Sequence, residues 1–149
     1  MTLSLESVRV RVALPGDAPA MAALLDQLGY PTTVADTEAR LARLTESAAD
    51  HVLVAERASV GVTGLVVLHR APVLHRTGDV GIIMALVVDE RRRGEGVGER
   101  LVRWAAALAR DHGCAALQVT THHRRDGAHR FYERLGFEHT GRRYVLSLH

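Results

Sequence analysis

The sequence predicts an α/β (α+β) fold, a single mixed and mostly antiparallel sheet of about seven strands flanked by helices on both faces. Three observations predict it. The chain has 149 residues, 47% of them hydrophobic, which suits one core, so residues 1–149 are expected to form a single domain. Strand-like and helix-like spacings of apolar residues follow one another in the order βααβββαβαββ. That order is neither doubly wound nor a sandwich, which leaves one sheet covered on both sides.

The first predicted elements are a strand and two helices. Residues 7–14 alternate polar and apolar side chains, which is typical of a strand with one buried face. Asp17 stands at the N-cap position of a helix that Gly29 ends. A loop at residues 30–33 follows, and apolar side chains at helical spacing predict a second helix over 37–46.

A hairpin and a central strand follow. Two apolar runs, 51–56 and 60–68, are joined by a short turn and predict a β-hairpin, in which Gly64 indicates a bulge or a close backbone approach. Asp79–Val88 is almost continuously apolar, as expected of a strand buried on both faces. A third helix is predicted from Gly96 to His112.

Trp104 belongs to the apolar stripe of the third helix and is expected to be buried. The elements predicted after that helix are shorter. A strand is predicted over 115–121 and a helix over 126–135. Two short strands, 137–139 and 144–148, are expected to close the chain and complete the sheet.

Composition excludes several classes of protein. The net charge is only +2 although the pI is near 9.2, which argues against a nucleic-acid partner. No apolar run is long enough for a membrane span, so no membrane partner is expected. The single Cys114 cannot form an internal disulfide, and no leader-like segment is present, so we expect a cytoplasmic protein.

The stretch between the central strand and the third helix is rich in arginine and glycine. Arginines at 91–93 precede Gly94, Gly96 and Gly98. Glycines let backbone N–H groups approach an anion, and a helix N-terminus adds positive charge, so the turn can hold a phosphate. A dinucleotide fingerprint would need glycine where Glu99 stands, and a Walker loop would need lysine, which the chain lacks. A solvated turn is the remaining alternative.

Two motifs resemble one known family. Arg93-x-x-Gly96-x-Gly98 matches the (Gln/Arg)-x-x-Gly-x-(Gly/Ala) signature of acetyl-coenzyme A binding in the GNAT superfamily of N-acetyltransferases. Residues 128–137 resemble the second hallmark of that family, Ala-x-x-Phe-Tyr-x-x-x-Gly-Phe, at the usual distance. The resemblance covers nearly the whole chain and implies a GNAT fold.

The resemblance also implies roles for individual residues. Backbone N–H groups of residues 93–98 would hold the pyrophosphate, and the strand at 86–88 would pair with the pantetheine arm. Tyr132 would protonate the departing thiolate, because a phenol with a pKa of about 10 is protonated at neutral pH. Arg125 stands where the family often has asparagine and could instead meet the ribose 3′-phosphate. The implied coenzyme-binding residues are Leu86, Val87, Val88, Arg93, Gly94, Glu95, Gly96, Val97, Gly98, Arg125 and Ala128.

The sequence departs from the family at the usual strand acid. Met84 and Ala85 occupy the place of a Glu or Asp that helps deprotonate the acceptor amine. An alkyl ammonium with a pKa of about 10.4 requires roughly 4.6 kcal/mol for deprotonation at pH 7, so another base or a less basic amine is needed. The candidate bases are Asp79, Glu56, His122 and His123.

The sequence therefore predicts an enzyme that moves acetyl directly from acetyl-coenzyme A to a primary amine of a small molecule or protein, without a metal. A small polyamine, an aminoglycoside-like amine and a protein N-terminus are each compatible acceptors, and each would lie against the 30–33 loop. Met84 and Ala85 favour the alternative, a catalytically weak acyl-coenzyme A-binding module or sensor. Both functions allow a homodimer.

Overall fold

The computed structural model describes residues 8–120 and 126–149. The chain divides into two compact units at Gln118, and each unit is described by itself. The single domain expected from the sequence stays a prediction. The described elements are β1 Val8–Val12, α1 Ala18–Leu28, α2 Val34–Glu46, β2 Asp50–Arg57, β3 Gly61–Ala71, β4 Asp79–Val88, α3 Val97–Asp111, β5 Cys114–Val119 and α4 Asp126–Arg134.

The strands form one open sheet in the order β1-β2-β3-β4-β5. β1, β2, β3 and β4 run antiparallel to one another in sequence order. In the middle of the sheet, Val54 of β2 pairs with Leu65 of β3, which pairs with Val87 of β4. The predicted fold class is confirmed, and the hairpin and the central strand lie where the apolar runs predicted them.

The predicted number of strands is wrong. The described residues form five strands rather than about seven, because residues 137–149 adopt neither helix nor strand. Side chains of the last expected strand are largely exposed, at 90% for Tyr144 and 83% for Leu146. Alternating apolar residues form a strand only where a neighbouring strand supplies hydrogen bonds and an apolar layer, and a local pattern reports neither.

Helices cover both faces of the sheet, as predicted. On one face, Met21 of α1 and Leu41 of α2 join a buried cluster with Leu65 of β3. On the other face α3 comes close to β3, where a Cβ placed on Gly64 would lie 3.0 Å from Cδ1 of Leu101. The close approach predicted at Gly64 is therefore confirmed, and the lack of a Cβ there is what lets α3 pack.

The burial predicted for Trp104 is wrong, whereas the N-cap position predicted for Asp17 is confirmed, although without a capping bond. Trp104 is 49% exposed, because it lies on the flank of α3, where it lines a groove of about 400 Å³ together with residues of β1 and β2. Asp17 occupies the N-cap position of α1, but its side chain makes no capping bond to the helix. Its carboxylate instead accepts hydrogen bonds from the Leu14 N–H at 2.7 Å and from the Arg11 guanidinium at 2.8 Å.

Candidate functional site

The arginine and glycine turn links β4 to α3. After Val88 the chain makes a 3-10 turn over Glu90–Arg92, and α3 begins at Val97. Gly94 and Gly96 have φ angles of +82° and +83°, a left-handed conformation that residues with a Cβ rarely adopt. The backbone path of the turn itself therefore requires these two glycines.

No side chain caps the N-terminus of α3. Its N-cap residue is Gly96, which has no side chain to accept from the first-turn N–H groups. The first helical bond runs from the Arg100 N–H to the Gly96 carbonyl at 3.1 Å, so the N–H groups of residues 97–99 have no acceptor in their own helix. In α2, by contrast, Thr33 accepts a hydrogen bond from the Asp36 N–H at 3.0 Å. Open donors at the positive end of a helix dipole suit a phosphate.

Asp89 anchors the beginning of the turn. Its N–H donates to the carbonyl of Thr63 at 2.8 Å, and Thr63 is the residue that the register between β2 and β3 skips as a bulge. The Asp89 carboxylate, which is buried, accepts hydrogen bonds from the N–H and the guanidinium of Arg91 at 3.1 Å each. The hydrogen bond with the Arg91 side chain is the main reason that the pKa of Asp89 lies below its ordinary value.

Two side chains from distant elements hold the rest of the turn. Gln27 of α1 accepts a hydrogen bond from the Glu90 N–H at 2.9 Å. Arg57, at the end of β2, is 1% exposed and contacts the Glu95 carboxylate with 2.7 Å between nitrogen and oxygen. The turn is therefore attached to α1 and to β2, as well as to the strand and helix that it joins.

The predicted pantetheine-binding residues lie on β4 beyond a bulge. Residues 86–88 pair with residues 64–66 of β3. The register between these strands shifts at Met84, which is 63% exposed, and a bulge of this kind re-aims side chains and bends its strand. On the other side of β4 lies β5, and a Cβ on Gly81 would contact Leu117 of β5. Gly81 comes before the bulge in β4, whereas residues 86–88 come after it.

The second motif forms α4 and its C-terminal cap. Gly136 has a φ of +98°, and the N–H groups of Gly136 and Phe137 donate to the carbonyls of Glu133 and Tyr132 at 3.0 Å each. These two bonds define a Schellman motif. The Tyr132 ring meets Phe131 and Phe137 edge-on, with ring centroids 5.1 and 5.4 Å apart. The glycine and the final phenylalanine of the motif therefore end the helix and pack the tyrosine ring.

Two of the predicted candidates for a general base, Asp79 and Glu56, lie within the described residues. Asp79 begins β4, and the five residues to Met84 span about 17 Å along a strand. Glu56 accepts a hydrogen bond from Nε of Arg11 at 2.5 Å. The identity of the general base stays a prediction.

The remaining predicted residues lie elsewhere. Residues 31–33, expected to face the acceptor, line an open pocket of about 310 Å³ together with Asp26 of α1. Ala128 is half-buried on α4. Three predicted residues fall outside the described ranges: His122, His123 and Arg125.

A comparison with protein families decides the assignment. The model of the acetyltransferase (GNAT) family matches residues 20–137, a range that includes the glycine turn and the second motif. The chain belongs to the GNAT acetyltransferase family. The recognition based on two motifs is therefore confirmed, and the open N–H groups at residues 97–99 of this GNAT chain fit the diphosphate of the acetyl-coenzyme A that the family implies.

Two curated relatives of this GNAT chain are N-acetyltransferases. The aminoalkylphosphonate N-acetyltransferase of Salmonella typhimurium is 36% identical over 87 residues, which cover 58% of this chain and 56% of the relative. The chain thus spans little more than half the length of that protein. Glucosamine 6-phosphate N-acetyltransferase 1 of Oryza sativa subsp. japonica is 38% identical over 120 residues, 76% of this chain and 70% of the relative.

A solved structure supports the same assignment. The crystal structure of an acetyltransferase from Trypanosoma brucei superimposes with a TM-score of 0.80 at 27% identity, covering 95% of this chain and 99% of that one. Within residues 8–120 and 126–149, no helix combines the length and the apolar character needed to cross a bilayer. The same residues bring no group of three or more His, Cys, Asp or Glu side chains together for a metal ion. The cytoplasmic location and the homodimer stay predictions.

Reasoning from the sequence missed the residues that hold the turn. Gln27, Arg57 and Thr63 act on it from a distance along the chain, 63 positions for the Gln27 contact. Local patterns carry no information about such pairs. The one signal in the sequence was Arg57 itself, an arginine at the end of the apolar run of β2. An arginine at that place is more typical of the start of a solvated turn.

Proposed function

We propose that this GNAT acetyltransferase transfers acetyl from acetyl-coenzyme A to the primary amine of a small molecule that carries a phosphate or phosphonate group. The observation that carries the proposal is the open N-terminus of α3 behind Gly94 and Gly96, inside the matched family segment. Support for the acceptor comes from the two curated relatives, which are named for an aminoalkylphosphonate and for glucosamine 6-phosphate.

The first compact unit, which ends at Gln118, binds the coenzyme in this proposal. In our proposal, N–H groups in residues 94–99 and the Arg93 guanidinium hold the diphosphate, and the backbone of residues 86–88 holds the pantetheine arm. Both groups belong to one continuous stretch of chain, from β4 through the turn to α3. Fixing the thioester in this way supplies proximity and orientation, which lower the barrier to attack by the amine.

The transfer itself is direct. The amine nitrogen attacks the thioester carbonyl, the C–N bond forms as the C–S bond breaks, and the leaving thiolate takes a proton from the Tyr132 hydroxyl. The one proton that the neutral amine loses returns through solvent to the Tyr132 oxygen, which restores the phenol. Cys114 is a poor covalent carrier, because burial raises the pKa of its thiol.

The basic residues of the chain suit a phosphoryl group on the acceptor. All 19 basic residues other than histidine are arginines, because the chain contains no lysine. The guanidinium group binds phosphate and phosphonate oxygens in pairs, which an ammonium group does not. An arginine-rich surface therefore favours phosphoryl-bearing amines over polyamines, which are cations.

Matched pairs of amines test the acceptor class. Thiol release from acetyl-coenzyme A is measured with glucosamine 6-phosphate and glucosamine, and with 2-aminoethylphosphonate and ethanolamine. We expect the phosphoryl-bearing member of a pair to have a kcat/KM higher by about tenfold or more, since one charge-assisted contact supplies that much. Equal rates within both pairs, or a preference for spermidine or a peptide N-terminus, would overturn the acceptor class.

A double substitution tests the coenzyme site. Gly96→Val with Gly98→Val places side chains on the phosphate-facing turn, one of them at a φ of +83°, so coenzyme A binding measured by calorimetry should be lost. Gly16→Ala is the control, because a Cβ at Gly16 meets nothing within 4 Å and no positive φ is required. Retained affinity in the double variant would show that the turn is not the phosphate cradle.

One observation favours a second function, a coenzyme-binding module without turnover. Met84 is 63% exposed at the bulge where many family members carry an acid, and Glu56, one of the candidate bases, is hydrogen-bonded to Arg11. The two functions predict different results in the same pair of assays. Tight coenzyme binding without thiol release on any amine of the panel supports the module, whereas release supports the enzyme.

A further inference from the structure

We propose that Arg57 is a positioning residue for the coenzyme diphosphate and that it acts through Glu95. The inference rests on the coenzyme site proposed above and adds to it a residue from β2. The guanidinium of Arg57 is 1% exposed, and its nitrogen lies 2.7 Å from a carboxylate oxygen of Glu95. The Glu95 side chain is 30% exposed, so the pair spans from the interior to the phosphate-facing surface.

The pair controls the direction of the turn. Separating a buried guanidinium from a carboxylate is costly, so the 2.7 Å ion pair favours one position of the Glu95 carboxylate. Glu95 stands between Gly94 and Gly96, whose lack of a Cβ leaves the adjacent peptide planes more freedom to rotate than other residues allow. Holding the side chain between them therefore aims the N–H groups that precede α3.

The pair also removes a negative charge from the anion site. An unpaired carboxylate at Glu95 would face the diphosphate and repel it, because like charges brought together at a binding site disfavour the complex. Arg57 neutralises that carboxylate from a buried position, so its own side chain does not occupy the surface that the ligand would use. Neighbouring acids are paired with arginines as well: Asp89 with Arg91 at 3.1 Å and Glu99 with Arg103 at 3.0 Å.

Arg57→Met tests the proposal, since it keeps the length of the side chain and removes the charge. We expect the Kd of coenzyme A, measured by calorimetry, to rise by about tenfold or more. In the full reaction the KM for acetyl-coenzyme A should rise while kcat stays within about twofold, because the reacting atoms are untouched. The kcat/KM for S-acetylpantetheine, which has the thioester and no diphosphate, should stay unchanged. An unchanged Kd for coenzyme A would overturn the proposal.

A second substitution separates positioning from a general loss of structure. In the Arg57→Met background, Glu95→Gln removes the exposed charge and should recover a large part of the lost affinity. A double variant that binds coenzyme A no better than Arg57→Met contradicts the charge argument. Arg11→Met is the matched control, because the ion pairs of this β1 arginine are with Asp17 and Glu56, which both lie outside the turn. It should lower the melting temperature and leave the Kd unchanged.

A milder variant keeps the test usable if Arg57→Met does not fold. Arg57→Lys retains the charge but loses the planar fork, so we expect the Kd of coenzyme A to rise by about threefold. An unchanged Kd in a folded Arg57→Lys protein would overturn the proposal as well. Failure of the coenzyme site itself has a different signature, because the Gly96→Val and Gly98→Val double variant would then keep its affinity for coenzyme A.

Discussion

Tyr132 has a ring and a hydroxyl with separable roles. The ring packs against Phe131 and Phe137, whereas the proposed proton donor is the hydroxyl. Tyr132→Phe keeps the packing, so we expect kcat to fall by about a hundredfold or more while the Kd of coenzyme A changes little. Stopped-flow thiol release and calorimetry measure the two quantities. A parallel loss of both would argue that Tyr132 serves binding and not proton transfer.

Asp17 makes stability depend on acidity. The hydrogen bond from Arg11 holds the pKa of Asp17 below its ordinary value, so the folded chain binds this proton less readily than the unfolded chain does. The resulting stabilisation is complete above the unfolded pKa of about 3.9 and is lost as the pH falls through the lower folded pKa.

Asp17→Asn should therefore lower the free energy of unfolding by about 1 kcal/mol at pH 7 and have less effect in acid, because the charge is absent from both proteins there. Urea titrations between pH 7 and pH 2.5 check the difference. Asp111→Asn, at an exposed carboxylate, is the control. Equal destabilisation by Asp17→Asn at every pH would mean that the charge of Asp17 contributes nothing.

Individual residues differ in how far the sequence alone predicts them. Gly94 and Gly96 could be predicted because the reason for a glycine, a left-handed backbone, is local. The same holds for Gly136 at the end of α4. Arg57 and Gln27 could not be predicted as parts of the site, since their partners in the turn reach them only through the pairing of strands and the packing of α1.

At the scale of elements, a single glycine terminates α4. Gly136 adopts a φ of +98° and completes the Schellman motif, so Gly136→Ala should lower the free energy of unfolding by about 1 kcal/mol. Gly127→Ala is a matched control of opposite sign, because Gly127 lies inside α4 with nothing within 4 Å of a Cβ and gains helix propensity. Chemical denaturation compares the two. A neutral Gly136→Ala would mean that the motif glycine has no role in ending the helix.

Elements with a long apolar run or a clear helical spacing of apolar residues were predicted well. The short strands that depend on a neighbouring strand were not. β4 has the bounds that its apolar run predicted, and α3 begins and ends within a residue of its glycine and histidine signals. The strands expected at 137–139 and 144–148 are absent, although the second has an alternating pattern. A helix contains its own hydrogen bonds, whereas a strand needs a partner, so sequence periodicity is a weaker guide to strands.

At the scale of the whole molecule, the sheet brings together the residues that hold the arginine and glycine turn. Side chains and carbonyls from α1, β2 and β3 meet the segment between β4 and α3, although they are far apart in sequence. The predicted fold class was enough to bring β4 and α3 together, because they are consecutive. It was not enough to predict the other contacts, which depend on the register of the strands and on where the bulges fall.

Charge across the molecule gives the last prediction. The net charge is only +2, but Asp89, Glu95 and Glu99, in and beside the arginine and glycine turn, are paired with arginines, so the turn should attract an anion more strongly than the average surface does. Salt shortens the range of this attraction, from about 10 Å at 0.1 M to about 3 Å at 1 M. We therefore expect the KM for acetyl-coenzyme A to rise several-fold between about 0.05 and 0.5 M sodium chloride.

S-acetylpantetheine provides the comparison, because it presents the same thioester without phosphate groups. Its kcat/KM should change little over the same range of salt, and circular dichroism should show an unchanged fold. If the two thioesters lose activity in parallel, salt acts on the protein or on the acceptor amine. If only acetyl-coenzyme A is affected, the dependence comes from the phosphate groups, as expected if the turn and the N-terminus of α3 bind them.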